Sequence, residues 1–109
     1  MKSATVKAIK VEIFIAGELE RIQAACAEYC ARGMCVTVTP TNYIYTGGAE
    51  AGAIIGLINY ARFPTDYETL WNRAKELGEL IMDQAGQQSF TIQSADRSTL
   101  YSNRTDHNI

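Results

Sequence analysis

From Val6 to Ile15 the apolar residues Ile9, Val11, Ile13 and Ile15 alternate with Lys10, Glu12 and Phe14, the period of a half-buried strand that Ala16-Gly17 closes. The period then lengthens. Leu19, Ile22, Cys26, Tyr29 and Cys30 recur at steps of three and four, one apolar stripe on a helix over residues 18–32, ended by Gly33 and with Arg21, Glu28 and Arg32 off the stripe. Met34, Val36 and Val38 alternate with Cys35, Thr37 and Thr39 in a second strand. Pro40-Thr41-Asn42 carries turn chemistry before a third, Tyr43-Ile44-Tyr45-Thr46, and the two strands read as a hairpin. Residues 47–52 form a glycine-rich stretch that reads as a loop, and residues 53–60 a fourth strand, apolar on both faces and therefore central or covered on both sides.

Thr65-Asp66-Tyr67-Glu68 has the spacing of a capping box, with Thr65 as the cap and Glu68 reaching back to it. The helix it opens buries Tyr67, Leu70, Trp71, Ala74, Leu77, Gly78 and Ile81 and closes near Gly86. A strand follows at residues 89–93, then an Asp96-Arg97-Ser98 turn and a short strand at residues 99–102; the polar tail after Asn103 is expected to fray. The order βαβββαββ implies a single α+β ligand-binding domain over residues 1–109, an antiparallel or mixed sheet of about six strands with both helices on one face. Six strands at about 4.8 Å spacing make a sheet roughly 29 Å wide, and two helices of about 10 Å diameter shield one face only. The other face carries Phe14, Tyr43 and Tyr45, or Ile54 and Ile58, depending on register, and is expected to pack against a second copy of the chain.

Composition leaves that architecture unchanged and narrows the partners. With 109 residues, 47% of them hydrophobic and 20% charged, the chain has an ordinary globular balance and room for one core. A net charge of -2 gives no general attraction to a polyanion, which argues against a nucleic-acid polymer as partner. No apolar run approaches the roughly 20 residues that span a bilayer, and the N-terminus has no signal-peptide core, so no membrane partner and a cytoplasmic location are expected. Cys26, Cys30 and Cys35 are odd in number and fit a reducing compartment as free thiols. They lack a fourth zinc ligand, since the only histidine, His107, falls in the tail; no metal or cofactor is expected. The same shortage leaves no spacing that supports a Ser-His-Asp or Cys-His constellation, and the chain is expected not to be an enzyme.

The chemistry concentrates in Asn59-Tyr60-Ala61-Arg62-Phe63, immediately before the second helix. Asn59 and Arg62 supply donors and a charge suited to phosphate or ribose, and Tyr60 and Phe63 supply flat surfaces suited to a base. An amide inside an apolar strand is hydrogen-bonded or costs about 1–3 kcal/mol, so Asn59 either braces the following loop or faces a ligand. Trp71 sits on the buried stripe, and Asn72, one step round, looks toward the Phe63 side of the helix start. Arg21, Arg97 and Arg104 are the other cations near element ends. The glycine stretch lacks the Lys-Ser/Thr ending of a P-loop and runs into a strand, which makes it a weak phosphate signal.

Four segments, VEIFIAGE, CVTVTPTNYIYTGG, GLINYARFP and QQSFTIQ, together resemble the first family of phage Thoeris anti-defence proteins. The resemblance implies a non-catalytic sponge that holds a cyclic ADP-ribose isomer made by bacterial TIR-domain proteins, in the cytoplasm of the infected host. It implies dimers as building units of a larger assembly of up to six copies, with cyclic di- or trinucleotides held at separate sites in some members. Carried over by motif, the ligand contacts are Arg62 and Phe63 of ARFP, Arg21 on the first helix, Asn72 on the second, and Arg97 or Arg104 near the C-terminus. Ala61 stands where relatives are expected to carry proline, which makes the approach to Phe63 less rigid. Two other classes remain beside this one. One is a nucleotide-acting hydrolase with Glu50 or Asp66 as base and the glycine stretch as phosphate clamp. The other is a protein-interaction module in which residues 59–63 only brace the helix start.

Overall fold

Five strands and two helices succeed one another as β1 (Lys10–Ala16), α1 (Leu19–Cys30), β2 (Thr37–Tyr45), β3 (Gly48–Ile58), α2 (Tyr67–Ala85), β4 (Ser89–Gln93) and β5 (Ser98–Ser102) in the computed structural model, which describes residues 1–108. The strands form one sheet in the order β2-β3-β1-β4-β5, every neighbour antiparallel. The α+β class read from the sequence holds, with five strands in place of six.

The missing strand has a physical reason. Pro40 lies inside β2, in register with Ala53, so residues 37–45 form one strand where the turn chemistry of Pro40-Thr41-Asn42 suggested two. A proline has no N–H to donate, but β2 is an edge strand and that position can face solvent. The turn comes later: Tyr45 pairs with Gly48, leaving Thr46 and Gly47 as the loop, and Gly47 takes the positive φ of 87° that a residue with a side chain rarely adopts. The glycine stretch from Gly48 to Gly52 is therefore strand rather than loop. β1, not β3, is the central strand.

Both helices lie on one face of the sheet. Val11, Ile13 and Ile15 of β1, Ala53, Ile55 and Leu57 of β3, and Phe90 and Ile92 of β4 meet Ile22, Cys26 and Tyr29 of α1 and Leu70, Trp71, Ala74, Leu77 and Ile81 of α2 in a single core. Each fully buried side chain of this kind stabilises the fold by about 1.5–3 kcal/mol. α2 ends as its sequence suggests, at Gly86 in the left-handed region (φ 68°), with the Gly86 and Gln87 N–H groups both donating to the Met82 carbonyl.

Register settles what the opposite face carries. Phe14 pairs with Ile54, Ile54 with Thr39, Lys10 with Ile58 and Tyr43 with Glu50, so Phe14, Ile54, Ile58, Tyr43 and Tyr45 all share the face that no helix covers. Leu100 of β5 joins them through Thr91, which pairs with both Phe14 and Leu100. The tail after β5 is tied rather than frayed: the Asn103 N–H donates to the Gln88 carbonyl, the Arg104 N–H donates to Ser102 Oγ, and the same hydroxyl meets His107 Nδ1.

Candidate functional site

Asn59 follows β3 directly, with both ends of its side-chain amide hydrogen-bonded. Its backbone N–H donates to the Ile9 carbonyl (3.0 Å), its Nδ2 donates to the Lys7 carbonyl (2.8 Å), and its Oδ1 accepts from the Thr65 N–H (2.8 Å). One buried side chain thereby ties the residues before β1, the end of β3 and the entry to α2. Between its anchors the chain makes a turn, closed by the Phe63 N–H donating to the Tyr60 carbonyl at 3.1 Å. Pro64 disfavours the helical region for Phe63, so α2 cannot extend back through it. Phe63 stays 41% exposed, its ring 5.2 Å from the tilted ring of Tyr60, and Arg62 stands in solvent beside it. Phe63 is one of several large apolar side chains left exposed, with Ile44, Tyr45, Ile58 and Leu100.

The cap of α2 is Asp66 rather than Thr65. α2 begins at Tyr67, which puts Asp66 in extended geometry at the N-cap: its Oδ1 accepts from the Thr69 N–H at 2.7 Å, while the Thr65 N–H that a capping box would offer to Glu68 is bound by Asn59 Oδ1. The hydrogen bond from Thr69 holds the Asp66 carboxyl below the usual 3.8. A carboxylate with a depressed folded pKa contributes stability that is fully present above the ordinary aspartate value and is lost as pH falls through the lowered one. Asp66→Asn caps without charge, so the melting-temperature gap between wild type and variant is expected to be widest near neutrality and to close between about pH 5 and pH 2. A gap that stays constant across that range would show that the charge plays no part. The same role makes Asp66 a poor proton acceptor.

The remaining sequence-derived residues divide between two ends of the molecule. At the start of α2, Arg97 lays its guanidinium 3.8 Å over the Trp71 ring and Asn72 is exposed on the first turns, and neither lines the cleft that contains Phe63. Arg21 and Arg104 stand elsewhere. Arg21 follows Gly17, which lies against Ala85 at the far end of α2, and its Nε is 3.5 Å from Glu18. Arg104 is held in a fork by Asp106 (2.9 and 2.6 Å), which raises its own pKa and lowers that of Asp106 to about 2. It lines a cleft of about 330 Å³ with Phe14, Tyr43, Glu50, Gly86 and Leu100, where Glu50 accepts from the Tyr45 hydroxyl at 3.0 Å. A 19-residue helix separates these ends by about 28 Å, so one protomer cannot bring Arg21 or Arg104 to Phe63.

Sequence reasoning missed the groups that do meet Phe63. A cleft of about 330 Å³ sets it beside Tyr29, Arg32, Pro64, Arg73 and Glu76. These residues converge only because the end of α1 packs against the start of α2, and spacing along one chain carries no sign of that. A larger cleft of about 580 Å³, between α2 and β5, is lined mainly by polar groups such as Glu79, Asp83, Gln87 and Asn103 and contains none of the sequence-derived residues. Among the described residues no group of three or more His, Cys, Asp or Glu is placed to hold a metal, and no helix is long and apolar enough to cross a membrane.

No family model and no curated protein matches this chain. Solved structures do. A phage SAM lyase in complex with S-methyl-5′-thioadenosine superposes with a TM-score of 0.61 at 10% identity, covering 98% of both chains. A phage SAM lyase in the apo state gives a TM-score of 0.64 at 16% identity, covering 93% of this chain and 92% of the other. At these identities the likeness is one of fold. It is enough to overturn the expectation that the chain is not an enzyme: that expectation rested on the missing histidine constellation, and the same architecture, over nearly its whole length, belongs to a lyase.

Proposed function

We propose that the protein binds a small adenosine-containing ligand of the contest between phage and host, specifically a cyclic ADP-ribose isomer, and so withdraws that signal from TIR-based antiphage defence in the host cytoplasm. The observation that carries this reading is the open Phe63 ring, fixed beside Arg62 by a turn that Asn59 braces at both ends. Its support is threefold. The segments that resemble the Thoeris anti-defence family include this turn; a protein of the same fold holds an adenosine derivative; and the cations at the far end of α2 become useful if a second copy brings them to Phe63. The uncovered face carrying Phe14, Ile54 and Ile58 supplies a surface for that second copy.

A second reading follows from the fold. The architecture shared with a lyase favours chemistry on an adenosine-containing substrate, with Glu50, steadied by the Tyr45 hydroxyl in the cleft shared with Arg104, as base.

One experiment separates the readings. Purified protein is incubated with cyclic ADP-ribose or, separately, with S-adenosylmethionine; free ligand is removed, the protein denatured and the released molecules weighed by mass spectrometry. Intact cyclic ADP-ribose at one molecule or less per chain is the expected result, and Phe63→Ala is expected to cut its retention at least tenfold. S-methyl-5′-thioadenosine appearing from S-adenosylmethionine would favour the second reading. Retention of neither compound, or a strictly monomeric protein in light scattering, would remove the first.

A further inference from the structure

The cleft beside Phe63 contains two cations and one anion, and the anion serves them poorly. Arg32 Nη1 lies 3.8 Å from Glu76 Oε2, too far for a hydrogen bond, while its guanidinium stands 4.2 Å over the Tyr29 ring. The Tyr29 hydroxyl donates to the same carboxylate oxygen at 3.1 Å. The Glu76 side chain is 59% exposed, so solvent screens its pull on Arg32. Arg73, half-buried one turn before Glu76, forms no ion pair within 4.0 Å among the described residues. The cleft is therefore left with an excess positive charge against an exposed aromatic ring, and two guanidinium forks are available to oxygen acceptors.

We propose that this cleft is the phosphate subsite of the ligand pocket: Arg32 and Arg73 bind the oxygens of a nucleoside diphosphate group while Phe63 stacks on the attached base. The inference rests on the nucleotide reading above and names which of the protein's cations that reading needs first. Glu76, whose side chain is exposed enough to turn into solvent, gives way as the phosphates enter. Burial, with the Glu76 charge second, pushes the Tyr29 hydroxyl up to about 12, so it keeps its proton and becomes a third donor once Glu76 leaves. A cleft of about 330 Å³ suits a diphosphate and part of a nucleoside, with the remainder extending toward the second copy.

The test is calorimetric titration of the full chain with cyclic ADP-ribose, which carries two phosphates, and with S-methyl-5′-thioadenosine, which carries none. Arg73→Gln and Arg32→Gln keep most of the aliphatic stem and are each expected to weaken cyclic ADP-ribose binding by about 10- to 100-fold while the protein stays folded, as circular dichroism would show. Any binding of S-methyl-5′-thioadenosine should change less than threefold. Glu76→Gln removes the competing anion and is expected to tighten cyclic ADP-ribose binding. If wild type binds cyclic ADP-ribose and both arginine variants match it within twofold, the subsite assignment is overturned while the nucleotide reading stands. If wild type binds neither probe, both fall together.

Discussion

Trp71→Ala is expected to lower the free energy of unfolding by about 3–5 kcal/mol, a large share of the total stability of a domain this size. Trp71 is 1% exposed and ties α2 to β5 and to the turn before it. Its Nε1 donates to the Tyr101 hydroxyl at 3.0 Å, its ring lies 6.0 Å from that of Tyr67, and Arg97 covers it from the turn between β4 and β5. Truncation opens a cavity between α2 and the sheet and frees Arg97 at the same time. Trp71→Phe keeps most of the ring and loses the hydrogen bond, for an expected cost of about 1–2 kcal/mol. Urea unfolding followed by far-UV circular dichroism measures both, since the only tryptophan is gone. An alanine variant within 1 kcal/mol of wild type would mean that α2 is held to β5 by something other than this side chain.

Legibility of the fold tracked the strength of local patterns. α2 reads cleanly because seven apolar positions keep a helical period between a capping residue and a left-handed glycine, and β1 because its alternation is unbroken. The errors arose where a local signal competes with tertiary context. Pro40-Thr41-Asn42 has the chemistry of a turn, but an edge strand tolerates the proline, and pairing with β3 outweighs the local preference. The cap is Asp66 rather than Thr65 because α2 begins at Tyr67, and the Thr65 N–H that a capping box would offer to Glu68 is bound instead by Asn59, six residues upstream.

The candidate site is legible only where it is contiguous. Residues 59–63 announce themselves because an amide, a cation and two aromatic rings fall within five positions next to a helix start. Arg32 and Arg73 are 41 positions apart and line one cleft only because the helices pack, which spacing along the chain does not show. The arginines carried over from the family resemblance proved to lie at both ends of a 19-residue helix, and only an arrangement of several copies can unite them. The lack of a histidine constellation was read as a lack of catalysis, whereas the fold itself accommodates a lyase that the sequence pattern did not suggest.

Asn59→Ala is expected to cost about 1–3 kcal/mol and to damage the proposed ligand site as well. The substitution removes two hydrogen bonds, to the Lys7 carbonyl and from the Thr65 N–H, each worth about 0.5–1.5 kcal/mol net because Lys7 is exposed and Thr65 half-buried. It also releases the turn that holds Phe63 open, so any ligand must then order residues 60–64 on binding, and affinity falls along with stability. Asn59→Asp discriminates between the two anchors: the acceptor for Thr65 survives, but a carboxylate oxygen replaces the donor to Lys7 and faces a carbonyl. Hydrogen exchange should show the Thr65 amide protected in wild type and in the aspartate variant, and exposed in the alanine variant. Unchanged stability and unchanged Thr65 protection in Asn59→Ala would mean that the turn keeps its shape without this side chain, and the 41% exposure of Phe63 would then need another cause.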